Sequence, residues 1–135
     1  MLDQAKTKAE RAGVNIKWEC GLAFALPYSD QSFDRILTSL MLHHLNSNNK
    51  RRTFREVRRV LRPGGELHIA DFGQPHSPIV KPVTQMIARL EEAADNLNGL
   101  LPGMLTESGF AQAEEIGYMV TWLGSVSFYH AVRRE

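Results

Sequence analysis

The chain has 135 residues, 43% of them hydrophobic and 23% charged, with a formal net charge of +1 and one cysteine. This size and balance describe a single globular domain over 1–135, large enough to bury a core, and exclude a disordered or disulfide-stapled chain. Near-neutral charge gives no reason to expect a nucleic acid or an anionic membrane as partner. No apolar run approaches the roughly 20 residues of a membrane span. The charged, alanine-bearing start predicts no signal peptide, and the lone Cys20 fits a reducing, cytoplasmic setting.

Taken in chain order, Leu2, Ala5, Ala9 and Ala12 share one face of a helix over 2–12 that Gly13 stops. Val14-Asn15-Ile16-Lys17-Trp18 alternates as a short strand would. Residues 21–27 read as a loop or irregular turn, and Ser29-Asp30 leads into a strand over 33–39. Asn46-Ser47-Asn48 offers N-cap oxygens to a helix that buries Phe54, Val57, Val60 and Leu61. Pro63-Gly64-Gly65 ends that helix and passes the chain to a strand over 67–72. Residues 74–84, with three prolines, read as a surface connection. A helical stretch over 83–108, interrupted near Gly99–Gly103, precedes two strands at 112–121 and 124–133. Alternating helices and strands predict a mostly parallel sheet, and the helix-free last connection predicts an antiparallel final pair.

The chemical candidates cluster at the strand ends, where open α/β sheets bind ligands. His43 and His44 follow the strand over 33–39. As neighbours on a helix they would point about 100° apart and could not chelate one metal, so either they contact a ligand or they cap the strand end. With no other His/Cys/Asp cluster at metal spacing, no metal site is expected. Asp71 ends the next strand and reads equally as a general base or as a cap for the following loop. Ser39 has no glycine-flanked elbow and reads as a hydrogen-bonding serine. Lys50, Arg51, Arg52, Arg55, Arg58, Arg59 and Arg62 crowd one helix. A solvated face suits them better than a nucleic-acid surface, because no aromatic interleaves them. Cys20 reads as a small buried apolar residue, and Tyr118, Trp122, Phe128 and Tyr129 as core.

The ordered set Gly21, Leu26-Pro27-Tyr28, Asp30, Ser32-Phe33-Asp34, Leu42-His43-His44-Leu45, Val60 to Gly65 and Gly109-Phe110 resembles the class I S-adenosylmethionine-dependent methyltransferases. The branch it resembles is the type 11, ubiquinone/menaquinone-biosynthesis-like one. The resemblance implies a partial Rossmann-like methyltransferase fold, α/β, with a mostly parallel sheet, an antiparallel C-terminal strand pair and the first two family strands missing. It implies S-adenosyl-L-methionine as cofactor and methyl transfer to a small molecule, with residues 74–104 in part of the acceptor pocket, where Met86, Ile87, Leu90, Leu97, Leu100 and Leu101 either favour an apolar acceptor or serve only as core. On the matching positions Leu22, Ala23 and Phe24 border the adenine. Ser39, Leu40 and His44 line the cofactor near the reacting methyl group, and His43, His44 or Asp71 is the base.

The chain departs from the family in two ways. The GxGxG loop is not in it, and Leu22 stands where the family often has the aspartate that contacts adenine. Weak or absent cofactor binding is therefore expected of this chain alone, which is read as an N-terminally truncated product or a start at an internal Met-Leu. The alternative is a catalytically inactive remnant or interaction subunit. In the family sheet order 3-2-1-4-5-7-6, loss of strands 1 and 2 leaves an open edge. Homodimerisation through that edge is expected, or else movement of the 14–18 strand beside it.

Overall fold

The computed structural model describes residues 2–76, 91–122 and 124–135. Helix α1 (Leu2–Arg11) buries Ala9 and leaves most of its length exposed. The segment after it is not a strand: residues 14–18 pair with nothing, and Val14 and Ile16 stay exposed. Alternation alone does not make a strand, because backbone N–H and C=O groups gain over water only when a neighbour completes the ladder. The expected move of this segment beside the sheet edge is likewise not seen.

Strand β1 (Phe33–Ser39) lies parallel to β2 (Leu61–Phe72), and α2 (Ser47–Val60) joins them. Asn46 caps α2, its side chain accepting from the Asn49 N–H at 2.9 Å. At the other end Arg133 donates to the carbonyls of Arg58, Arg59 and Leu61, covering acceptors that the helix cannot satisfy itself. The ladder pairs Phe33 with Leu61, then resumes at Arg35 and Glu66, so Arg62–Gly65 bulge out of register. Gly64 takes a φ of 75°, and a Cβ on Gly65 would meet the Arg62 and Asp34 carbonyl oxygens at 2.8 and 3.0 Å. Both positions therefore require glycine.

Helices α3 (Glu91–Leu97) and α4 (Leu101–Glu107) lead to β3 (Phe110–Thr121) and β4 (Gly124–Arg133). The sheet order is β1-β2-β4-β3, with β4 antiparallel to both its neighbours. Three of the four strands thus point one way, and the expected antiparallel C-terminal pair is present.

The core lies on one face of this sheet, where Phe54 and Val57 of α2 and Leu101 and Leu105 of α4 pack with Leu67 and Ile69. Among the described residues no helix covers the opposite face, where Leu37 and Phe128 are exposed. Three sequence readings change accordingly. Tyr118, Trp122 and Phe128 are exposed, Tyr129 alone of that aromatic set being buried. Cys20 is exposed rather than buried. Lys50 is fully buried. It precedes Phe54, Val57 and Leu61 at helical spacing and so falls on the apolar face.

Candidate active site at the end of the parallel pair

Strand β1 ends at Ser39, and Leu40 then takes a left-handed φ of 48°, its N–H donating to the Ala70 carbonyl at 2.8 Å. A non-glycine residue adopts this conformation only where its surroundings impose it. The turn delivers Met41 and a 3-10 segment, Leu42–His44, to the C-terminal end of β2. Asp71 waits there with no solvent exposure.

All of Asp71's partners are donors. Oδ2 accepts from the Met41 and Leu42 N–H groups at 3.0 and 2.7 Å. Oδ1 accepts from the Phe72 N–H at 2.8 Å and from His43 Nδ1 at 2.7 Å. A buried carboxylate is tolerable only when saturated in this way. Donation from Nδ1 to the carboxylate leaves the lone pair of the neutral imidazole on Nε2. His43 is further fixed against the Phe72 ring, edge to face at 4.9 Å, and against His44, whose ring centroid lies 3.9 Å away. The carboxylate caps the 41–42 turn, which follows β1 rather than β2, and orients an imidazole. The two histidine rings, expected to diverge, touch.

The 20–30 loop is bound to α2 by Arg59. Its guanidinium meets Glu56 at 2.6 and 3.1 Å, Asp30 at 2.7 Å and the Tyr28 carbonyl at 2.8 Å, while Glu56 accepts from the Leu26 N–H. Hydrogen bonding to Arg59 holds the Glu56 carboxyl below its ordinary range, and the two carboxylates hold Arg59 more firmly protonated. Other cations of this helix also have partners: Arg58 with the Gly109 carbonyl, Arg51 with Glu107 and Arg62 with Asp34. Lys50 donates to the Glu92 carbonyl and lies 3.3 Å from Asp95. Burial pushes its pKa down, with Asp95 opposing.

The clamped loop closes a cavity of about 170 Å³ whose wall includes Ala23, Ile36, Thr38, Met41 and Thr53. Of the predicted adenine-bordering residues, Ala23 lines this space. Leu22 is 58% exposed, and Phe24 lies beneath the Arg52 guanidinium at 4.7 Å. Ser39, Leu40 and His44 are exposed. Ser39 borders a separate apolar groove of about 450 Å³ on the open sheet face, with Leu37, His68, Ala70 and Phe128. The cavity wall is uncharged, and Thr38 and Thr53 are its polar side chains. This donor set suits the flat, apolar adenine part of S-adenosyl-L-methionine and supplies nothing for its ribose hydroxyls or its charged amino-acid end. Within the expected acceptor pocket Leu97 and Leu101 are core residues and Leu100 is exposed, whereas Met86, Ile87 and Leu90 lie outside the described residues.

Sequence reasoning missed the Met41 and Leu42 amides, which carry no side-chain signal. It also missed Lys50, whose helical spacing was a usable one.

The sequence model of a family described as a methyltransferase domain matches residues 1–65. The ubiquinone/menaquinone biosynthesis C-methyltransferase UbiE of Hahella chejuensis is 43% identical over 68 residues, 50% of this chain and 26% of that protein. The uncharacterized methyltransferase YcgJ of Bacillus subtilis is 32% identical over 93 residues, 68% of this chain and 36% of YcgJ. This chain is related to the UbiE-like branch of the class I S-adenosylmethionine-dependent methyltransferases. Solved structures place the methyltransferase fold over the rest of the chain. The YcgJ crystal structure superposes on all of it and on 79% of YcgJ, with a TM-score of 0.71 at 18% identity. A SAM-dependent methyltransferase from Methanosarcina mazei covers 96% of this chain, and 76% of its own length is matched, at a TM-score of 0.69 and 20% identity. The chain spans about a quarter to two fifths of the curated methyltransferases it matches. The family match holds Ala23, Ser39, His43 and His44, and Asp71 lies beyond it.

Proposed function

We propose that this chain acts in methyl transfer from S-adenosyl-L-methionine to a small, apolar molecule. The observation that carries the reading is the Asp71–His43 pair at the C-terminal end of the parallel strands. The cofactor would supply an electrophilic methyl group on a sulfonium, displaced in line. Ala23 and Met41 would hold the adenine part, with Leu22 and Phe24 at its border and Ser39, Leu40 and His44 toward the methyl group. The reaction depends chiefly on alignment, so no nucleophilic triad is needed. His43 Nε2 takes the proton from an acceptor hydroxyl, amine or carbon acid. Asp71 keeps the imidazole in the competent tautomer and stabilises its charge once protonated. The apolar lining of the groove beside Ser39 supports an apolar acceptor. A cytoplasmic setting is consistent with the free, exposed Cys20. No helix among the described residues is long and apolar enough to cross a membrane.

A second reading rests on the open edge of β1, where Leu37 is 78% exposed, and on the uncharged cavity wall. In it the chain is an inactive methyltransferase-like subunit that assembles through this edge, with a second copy as its partner. Calorimetric titration with S-adenosylhomocysteine separates the two. Saturable one-to-one binding, abolished by filling the cavity with Ala23→Trp, supports the enzyme. Absence of binding, together with a concentration-dependent dimer by light scattering, supports the subunit. A monodisperse monomer removes the dimer from either reading.

A further inference from the structure

The open face of the sheet carries a second constellation, unrelated to the Asp71–His43 pair. His68 of β2 and His130 of β4 are register partners across the antiparallel ladder, so both rings project from the same face, their centroids 5.0 Å apart. Glu66 stands two residues before His68 on the same strand and hence on the same face. Its Oε2 lies 3.0 Å from His68 Nε2. One donor atom from each of the three residues falls within 4.8 Å of the others. All three side chains are partly exposed, so a solute reaches them from water.

We propose that Glu66, His68 and His130 form a site for a divalent transition-metal cation of the zinc type. Two imidazoles and one carboxylate are the mixed nitrogen and oxygen set such ions accept, with a fourth position left for water or another ligand. Zinc bonds of roughly 2.0–2.2 Å require the donors to close to about 3.5 Å of one another. The donors, now within 4.8 Å of one another, would close by side-chain rotation on a backbone held by ladder bonds on both sides. Glu114 pairs with His130 in the β3–β4 register and is available from the neighbouring strand as the fourth ligand.

One group competes. Arg35 Nε lies 3.1 Å from the same Glu66 Oε2, and Arg35 with His68 holds that carboxyl below its ordinary range. A cation must displace this guanidinium. That gives the proposal a signature that a surface ion-pair cluster lacks: Arg35→Gln should tighten metal binding. His68 also borders the apolar groove, so the free coordination position opens beside it.

The test is titration of the full chain with Zn²⁺ by calorimetry, alongside histidine ring ¹⁵N shifts by NMR. One-to-one binding is expected, weakened at least tenfold by His68→Gln or His130→Gln and strengthened severalfold by Arg35→Gln. In the unmutated chain the His68 and His130 rings should respond to the metal before His43, His44 or His76. This readout holds even where a variant misfolds. Absence of saturable binding, or a response led by the other three histidines, overturns the site. So does undiminished affinity in a folded His68→Gln/His130→Gln variant.

Discussion

The two faces of β2 are built from alternate residues of one short segment and meet opposite fates. Leu67, Ile69 and Asp71 are buried beneath the helices, whereas Glu66, His68, Ala70 and Phe72 keep partial contact with solvent. On the covered face every polar atom of Asp71 has a partner, and a shift of one residue would destroy the arrangement. The open face holds apolar and ionisable groups side by side with space above them. The covered face thus fixes the geometry of the candidate base, and the open face leaves its ionisable groups within reach of water.

Substitutions and titration can break this comparison at graded strength. Asp71→Ala should be the most damaging, since it orphans three backbone N–H groups and the His43 ring. A loss of about 3–5 kcal/mol is expected from urea unfolding. Ile69→Ala, on the same face, should cost about 2–4 kcal/mol through the cavity it leaves.

Tyr129 offers a pH test of the covered face. Its hydroxyl is buried, and burial pushes its pKa from 10 up to about 12. A raised folded-state value means that the unfolded chain ionises first. Stability should therefore be intact below pH 10 and fall by about 2–3 kcal/mol as pH climbs to 12. Tyr129→Phe should abolish that component of the alkaline loss.

The smallest effect belongs to the open face: Leu37→Ala, at 78% exposure, should change stability by no more than about 0.5 kcal/mol. A larger loss, growing with protein concentration, would show this face or edge to be covered by a second copy.

Much of the element order was legible because local chemistry dictated it. The 33–39 strand and the Asn46 cap stand where turn residues and apolar spacing put them, whereas the helix stops already at Val60 and Pro63-Gly64-Gly65 forms a bulge inside β2 rather than the turn between helix and strand. The failures share a cause. The 14–18 segment has a strand's pattern and no neighbour to pair with. Phe128 has core chemistry but lies on the sheet face opposite the described helices. In both cases the deciding partner lies elsewhere in the chain or outside it, so no local pattern could report it. The candidate base was half legible: the histidine pair and Asp71 stood out by type and place, while the three backbone N–H donors around the carboxylate did not.

By itself the sequence determined the periodicities, the caps and the family signature, since each depends on residues only a few positions apart. Tertiary structure alone decided the β2–β4 register, which brings His130 against His68 across 62 positions. It also decided that Lys50 is buried and Cys20 exposed. These outcomes turn on ladder register and on which sheet face receives the helices. Both are set by long-range packing, which overrides the preference of any single residue.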